Sequence, residues 1–131
     1  MVLLDSDILI SALRNDKNAV QFLANLQQSD QKLSTTVINV FELLEGAFLH
    51  HNPIKSIEKV EGFLTSFDIL GFSPYMARTT ARISAELKKK GEMLDFQDIA
   101  IASIAILNNE KIITRNDKHF SRIKELKIEK W

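Results

Sequence analysis

The 131-residue sequence has no cysteine, only four glycines and only two prolines. Without cysteine there are no disulfides, thiolate metal sites or cysteine nucleophiles, and a reducing cytoplasm suits such a chain. The scarcity of glycine and proline excludes collagen-like, linker-like and disordered chains. The longest stretch nearly free of charge, residues 96–109, contains Asp98 and is too short to span a bilayer. The first residues resemble no signal peptide, so we expect a cytoplasmic protein without a membrane segment.

The charge balance is neutral overall and uneven along the chain. Lys and Arg number 17, as do Asp and Glu, within a composition of 45% hydrophobic and 26% charged residues that is ordinary for a globular protein. Residues 1–65 hold 5 basic and 8 acidic groups, whereas residues 66–131 hold 12 basic and 9 acidic groups. The basic excess in the second half is compatible with a polyanion-binding face. The length predicts one domain over residues 1–131.

Short apolar segments alternate with longer segments of helical periodicity. This alternation predicts an α/β fold with a short parallel sheet. Helical spacing places Val20, Phe41 and Phe48 on the apolar faces of their helices. The predicted strands are 2–4, 32–35, 68–72, 111–114 and 127–131, and the predicted helices begin near Ser6, Asp16, Val37, Pro53, Pro74 and Asp95 or Asp98.

Acidic and amide side chains follow several of the predicted strands. Ligands of an open α/β sheet bind beyond the carboxyl ends of the strands, so polar groups at that edge are candidate site residues. Glu42 interrupts an otherwise apolar helix, and Asp98 opens a helix with no other ionisable residue up to Ala105. The sequence therefore brings several oxygen donors toward one edge. They are Asp5, Asp7, Glu42, Asp98, Asn116 and Asp117.

Such a cluster is suited to a hard cation. Mg²⁺ and Mn²⁺ prefer oxygen ligands and usually share them with water and substrate phosphate. Carboxylates brought together without a cation would repel one another. A bound metal would activate water and stabilise charge on a phosphoryl group. Because cysteine is absent and only His119 follows a strand end, the cluster argues against zinc.

Each acid also has a structural explanation. Asp5 could cap a helix, and Asp7 or Asp98 could simply interact with a helix dipole. Glu42 could be solvated on the outer face of its helix, and Asp117 could be a turn residue. Capping is the preferred interpretation of Asp95. Only the joint occurrence of the acids indicates a site.

Four segments carry a family resemblance. Residues 3–10 read Leu-Leu-Asp-Ser-Asp-Ile-Leu-Ile, and residues 34–37 read Ser-Thr-Thr-Val and run on to Phe-Glu-Leu at 41–43. Residues 98–103 read Asp-Ile-Ala-Ile-Ala-Ser, and residues 114–116 read Thr-Arg-Asn. In this order they resemble the PIN (PilT N-terminal) domain, and more narrowly the VapC toxin ribonucleases of VapBC toxin–antitoxin pairs. The resemblance covers nearly the whole chain and implies one domain with about four to five strands flanked by helices.

The resemblance also implies roles for individual residues. Asp5 and Asp98 match metal-binding aspartates, and Glu42 matches a catalytic glutamate. The fourth catalytic position falls on Asn116, with Asp117 as the alternative source of charge. Asp7 and Thr36 would support the site, and Arg115 would contact RNA phosphates.

By resemblance, the activity is Mg²⁺- or Mn²⁺-dependent endonucleolytic cleavage of RNA by a homodimer that a VapB-type antitoxin inhibits. Two alternatives stay open. A haloacid-dehalogenase-like phosphatase is one, because Asp5 and Asp7 follow a strand as its nucleophile motif does, although no suitable lysine is evident. A PIN-like module that binds RNA or protein without cutting is the other, since Asn116 stands where an acid is often found.

Overall fold

A computed structural model describes residues 1–131 and contains one sheet of five parallel strands. The strands are β1 (Val2–Leu4), β2 (Leu33–Thr36), β3 (Asp68–Leu70), β4 (Lys111–Ile113) and β5 (Lys127–Glu129). The helices are α1 (Ser6–Leu13), α2 (Lys17–Gln28), α3 (Val37–Phe48), α4 (Pro53–Leu64), α5 (Pro74–Lys89), α6 (Phe96–Leu107) and α7 (Asp117–Phe120). The strand order β3-β2-β1-β4-β5 places β1 at the centre. The predicted α/β fold with a short parallel sheet is confirmed.

Helices cover both faces of the sheet. Successive residues of a strand point to opposite faces. Leu3 of β1 accordingly packs in a core with residues of α5 and α6, whereas Val2 and Leu4 pack in a second core with residues of α1 to α4. Burial on both faces explains why the central strand β1 is a short uninterrupted apolar run.

Local sequence signals set the helix boundaries. The Asp16 carboxylate accepts a hydrogen bond from the Ala19 N–H and caps α2. Pro53 occupies the first turn of α4, where its missing N–H has no helical partner to lose. Gly91 follows the end of α5 with φ of 69°, the left-handed conformation that glycine adopts without strain. These boundaries agree with the predicted ones to within two residues.

Three parts of the expected secondary structure need correction. The short helix α7 was not predicted, because four residues are too few for an apolar period to appear. Asp95 lies at the N-cap position of α6, but its side chain makes no capping hydrogen bond. Val20, Phe41 and Phe48, assigned to apolar faces, are 46%, 53% and 65% exposed.

The exposed apolar residues of α3 have a geometric cause. The fully buried positions of this helix are Asn39, Leu43 and Ala47, spaced by four residues. This stripe is narrower than the apolar surface of the helix, so Phe41 and Phe48 lie outside it. None of the seven helices combines the length and apolar character required to cross a membrane.

Candidate active site

Three neighbouring strands bring polar residues to the carboxyl edge of the sheet. Asp5 directly follows the central strand β1, Thr36 ends β2 and Thr114 directly follows β4. Because β2 and β4 flank β1 in parallel, their carboxyl ends meet at this edge. All three residues are buried, and they form the floor of the candidate site.

Asp5 is the most enclosed carboxylate of the site, with 7% of its surface exposed. Its Oδ1 accepts hydrogen bonds from the Ser6 N–H at 2.8 Å and from Asn39 Nδ2 at 3.1 Å. Its Oδ2 accepts one from the Thr114 hydroxyl at 2.7 Å. Donors from three separate segments therefore fix the orientation of this side chain.

Asn39 links the start of α3 to Asp5. The Thr36 hydroxyl lies within hydrogen-bond distance of the Asn39 backbone N–H and the Asn39 Oδ1, at 3.2 Å and 2.7 Å. The Asn39 Oδ1 also accepts from the Thr36 N–H, which completes a capping box. The other end of the same amide donates to Asp5 and to the Ser6 Oγ. Thr36, predicted as a supporting residue, therefore reaches Asp5 through Asn39.

Burial and like charge shift the titration of three acids. Burial raises the pKa of Asp5 to about 7; the Thr114 hydrogen bond opposes this shift, and the carboxyl groups of Asp7 and Glu42 add to it. Burial also raises the pKa of Glu42, which the nearby Ser6 hydroxyl lowers in part and the Asp98 charge raises. Asp5, Glu42 and Asp98 therefore form one electrostatically connected cluster.

Asp98 lies in the first turn of α6, at the side of this cluster. Burial raises its pKa, and the His119 imidazole, with Nδ1 3.7 Å from Asp98 Oδ2, opposes that rise. His119 is thus beside a predicted metal ligand. We infer no further role for it.

Asp7 is held entirely by protein donors. Its Oδ2 accepts a hydrogen bond from the Arg115 N–H at 2.7 Å and lies within hydrogen-bond distance of the Thr114 hydroxyl oxygen, at 3.1 Å. Its Oδ1 accepts one from Trp131 Nε1 at 3.0 Å. This coordination suits the supporting role predicted for Asp7.

The remaining predicted residues lie at the border of the cluster. The Arg115 guanidinium stacks on the Trp131 ring at 3.5 Å, and the side chain is exposed. Asp117 Oδ1 is 3.4 Å from Lys130 Nζ, so the structure pairs Asp117 with a cation. Asn116 precedes α7, and its side chain makes no capping hydrogen bond.

The donor set fits a divalent cation that keeps water ligands. No group of three or more histidine or acidic side chains is arranged to hold a metal by itself. Mg²⁺ is usually bound by one or two carboxylates together with water and phosphate, so this arrangement is compatible with it. The acids that influence one another are Asp5 with Glu42 and Glu42 with Asp98, and the repulsion among these acids is a second indication of a cation site. The Glu42 charge raises the pKa of Asp5, and the Asp98 charge raises the pKa of Glu42. A bound cation would relieve this repulsion.

A groove of about 500 Å³ adjoins the cluster at Glu42. It lies between α1, α3 and α4, and Glu42 is its only acidic lining residue. The charge of its walls is otherwise positive, because Arg14, Lys55 and Lys59 line it together with the two histidines His50 and His51. The groove therefore joins a candidate catalytic acid to a basic surface.

Sequence reasoning missed Asn39 and Trp131. Asn39 stands three residues after Thr36, the spacing of a capping box, and this signal could have identified its contact with Thr36. No local signal could have identified Trp131, which contacts Asp7 across 124 positions of the chain.

Comparisons with known proteins agree with this fold. Residues 2–126 match the family model described as "PIN domain". The chain is 30% identical over 98% of its length to ribonuclease VapC2 of Haemophilus influenzae, and equally to the tRNA(fMet)-specific endonuclease VapC of Shigella flexneri, covering 96% of each. Among solved structures it resembles VapBC2 of Rickettsia felis bound to a promoter DNA fragment, with a TM-score of 0.91 and 27% identity over 100% of this chain and 99% of that one.

The chain belongs to the PIN domain family and, within it, to the VapC-type ribonucleases. The family prediction is confirmed, and the phosphatase alternative is set aside, because the match covers the whole α/β domain and not the Asp5 segment alone.

Proposed function

We propose that this VapC-type ribonuclease, the toxin of a type II toxin–antitoxin pair, cleaves RNA phosphodiester bonds with Mg²⁺ or Mn²⁺ bound at Asp5 and Asp98. The observation that carries the proposal is the buried Asp5 carboxylate, oriented by Thr114 and Asn39 and electrostatically connected to Glu42. Orientation of a carboxylate by fixed donors is typical of metal sites, because the ligand is then ordered before the metal binds. Residues 1–131 would act as one nuclease domain.

Each residue would have a distinct task. The metal, when bound, would supply activated water and charge stabilisation at the phosphorus. Thr114 and Asn39 orient the Asp5 carboxylate through hydrogen bonds at 2.7 Å and 3.1 Å. Glu42, half-buried with a raised pKa, is suited to take a proton from the attacking water. Asn116 or Asp117 would complete the fourth position.

The basic groove supplies the binding surface for RNA. Phosphate contacts give affinity without sequence information, and the Arg14, Lys55 and Lys59 side chains line the groove next to Glu42. Arg115 would add a phosphate contact on the other side of the site. The Shigella flexneri relative is named a tRNA(fMet)-specific endonuclease, so we propose tRNA as the substrate class.

Partners and location follow from the same relatives. VapBC complexes have been solved for the proteins of Rickettsia felis and Salmonella typhimurium, which supports a cognate VapB-type antitoxin here. We further propose a homodimer that acts in the cytoplasm.

The test is cleavage of end-labelled tRNA(fMet) by the purified protein with Mg²⁺, with Mn²⁺ and with EDTA. Asp5→Asn and Asp98→Asn should each reduce cleavage by at least about a hundredfold, because each removes a charged group from the candidate metal site. Asp30→Asn makes the same charge change at an exposed turn and should cleave like the unaltered protein.

Two results would contradict the proposal in different ways. Cleavage that persists in EDTA or in both site variants would place the nuclease activity elsewhere. RNA binding without cleavage at any metal concentration would instead support a non-catalytic PIN-like module.

A further inference from the structure

Trp131 contacts the candidate site from the far end of the sequence. Its indole Nε1 donates a hydrogen bond to Asp7 Oδ1 at 3.0 Å, although 124 positions separate the two residues. Its ring lies 3.5 Å from the Arg115 guanidinium carbon, and its backbone oxygen accepts from Arg115 Nε at 3.0 Å. The ring also packs against the core formed with α1 to α4. Four separate contacts thus hold it in one position.

The contact between Trp131 and Asp7 affects which carboxylate receives the hydrogen of the Thr114 hydroxyl. The Thr114 hydroxyl lies 2.7 Å from Asp5 Oδ2 and 3.1 Å from Asp7 Oδ2, but it has only one hydrogen to donate. Asp7 receives two other hydrogen bonds, from the Trp131 indole and from the Arg115 N–H at 2.7 Å. Because Asp7 is satisfied by these donors, the Thr114 hydrogen is free to point at Asp5.

We infer, on the basis of the nuclease function proposed above, that Trp131 is a positioning residue of the active site: by donating its indole N–H to Asp7 it leaves the Thr114 hydroxyl to orient Asp5. Without the indole donor, Asp7 competes with Asp5 for the Thr114 hydrogen, and Asp5 loses one of its fixed donors. The stacking of Trp131 on Arg115 keeps the Arg115 backbone N–H directed at Asp7. The effect of Trp131 on cleavage is therefore transmitted through Asp7 and Thr114, without contact with RNA.

The first experiment separates this role from simple packing. Trp131→Phe keeps an aromatic ring at this position and removes the N–H donor together with one ring of the indole. It should lower kcat for tRNA(fMet) cleavage on the order of tenfold, as expected when a hydrogen bond to a charged group is lost, with KM unchanged within about twofold. Calorimetric titration with Mn²⁺ should show weaker binding in the same variant. Phe48→Leu, which removes an exposed aromatic ring at the end of α3, is the matched control and should change neither quantity.

The second experiment needs no catalysis. Trp131 is the only tryptophan, so the tryptophan fluorescence of the metal-free protein in EDTA reports on the surroundings of this side chain. Asp7→Asn should shift the emission maximum, and Phe48→Leu should leave it in place. Asp7→Asn also tests the relay, because it removes the carboxylate that competes with Asp5: in an Asp7→Asn background, Trp131→Phe should lower kcat no further, and if Trp131→Phe fails to fold the emission shift still tests the contact.

The outcomes distinguish the inference from the function on which it rests. An active unaltered protein whose Trp131→Phe variant matches it in kcat and Mn²⁺ affinity would overturn the positioning role alone. An emission maximum unchanged by Asp7→Asn would overturn the contact itself. If the unaltered protein does not cleave RNA, the proposed function fails, and Mn²⁺ affinity and fluorescence then decide the role of Trp131 on their own.

Discussion

The Asp5 carboxyl group is buried beside two other acids, Asp7 and Glu42, and this placement should make the metal-free protein sensitive to pH. Folding raises the pKa of Asp5 from 3.8 to about 7. At pH values between these two, the folded state therefore binds more protons than the unfolded state. Stability therefore falls as pH rises from about 4 to about 7. The raised pKa values of Glu42 and Asp98 act in the same direction.

Asp5→Asn should consequently stabilise the metal-free protein at high pH. We expect a gain on the order of 2–4 kcal/mol at pH 8, since each unit of pKa shift corresponds to about 1.4 kcal/mol. The gain should shrink toward zero near pH 4, where Asp5 is protonated in both states. Urea denaturation in EDTA at pH 4, 6 and 8 measures it.

Asp30→Asn serves as the control, because it makes the same charge change at an exposed position. Addition of Mg²⁺ at pH 8 should then stabilise the unaltered protein and leave Asp5→Asn unchanged, by mass action on the folded state. A variant less stable than the unaltered protein at pH 8 would show that the hydrogen bonds of Asp5 outweigh its burial cost.

The position of a site residue could be predicted from the sequence where it follows from the topology of a parallel sheet. Asp5 follows a buried strand, so its place at the carboxyl edge could be predicted from order along the chain. The partner of Asp117 could not be predicted in this way, because its pairing with Lys130 depends on where β5 ends. The contact of Trp131 with Asp7 depends on the same feature.

The start of α3 is the element that joins helix stability to the site. Thr36 caps this helix, and the same hydroxyl lies 2.7 Å from the Asn39 side-chain oxygen that faces away from Asp5. Thr36→Val keeps the shape and removes the cap, so we expect a loss of about 1–2 kcal/mol in the free energy of unfolding. Cleavage should fall as well, because Asn39 then loses the group that orients it.

Thr36→Ser separates the hydroxyl from the methyl group. It retains the capping oxygen and should keep most of the cleavage activity, while the small loss of buried surface lowers stability slightly. Equal activity losses in Thr36→Val and Thr36→Ser would mean that the methyl group matters and that the link through Asn39 does not. Thermal unfolding together with initial cleavage rates measures both effects.

The elements themselves were predictable to different degrees. Long periodic segments such as α3 and α5 were predicted within two residues, because caps and glycine mark their ends. Which face of α3 is buried could not be predicted in this way. The buried residues Asn39, Leu43 and Ala47 are determined by the elements that pack on the helix and not by the helix's own apolar pattern. The short helix α7 forms where β4 meets the site, and its four residues carry no period.

At the scale of the whole molecule, zero net charge conceals a strong local separation of charge. The acids Asp5, Glu42 and Asp98 cluster at one edge of the sheet, and the adjoining groove is lined by Arg14, Lys55 and other basic side chains. A polyanion would be repelled by the cluster unless a cation occupied it, and it would be attracted along the groove. Metal and RNA binding should therefore support each other.

Removal of groove charge should weaken RNA binding in a salt-dependent manner. In an Asp98→Asn background, which prevents cleavage, Arg14→Gln with Lys55→Gln should raise the Kd for labelled tRNA(fMet). The slope of log affinity against log salt should fall by about 0.7–0.9 for each RNA phosphate that the groove no longer neutralises. Lys88→Gln with Lys89→Gln makes the same charge change at the exposed end of α5 and should have a much smaller effect. Equal effects of the two double variants would mean that RNA affinity depends on the overall charge of the protein and not on the groove.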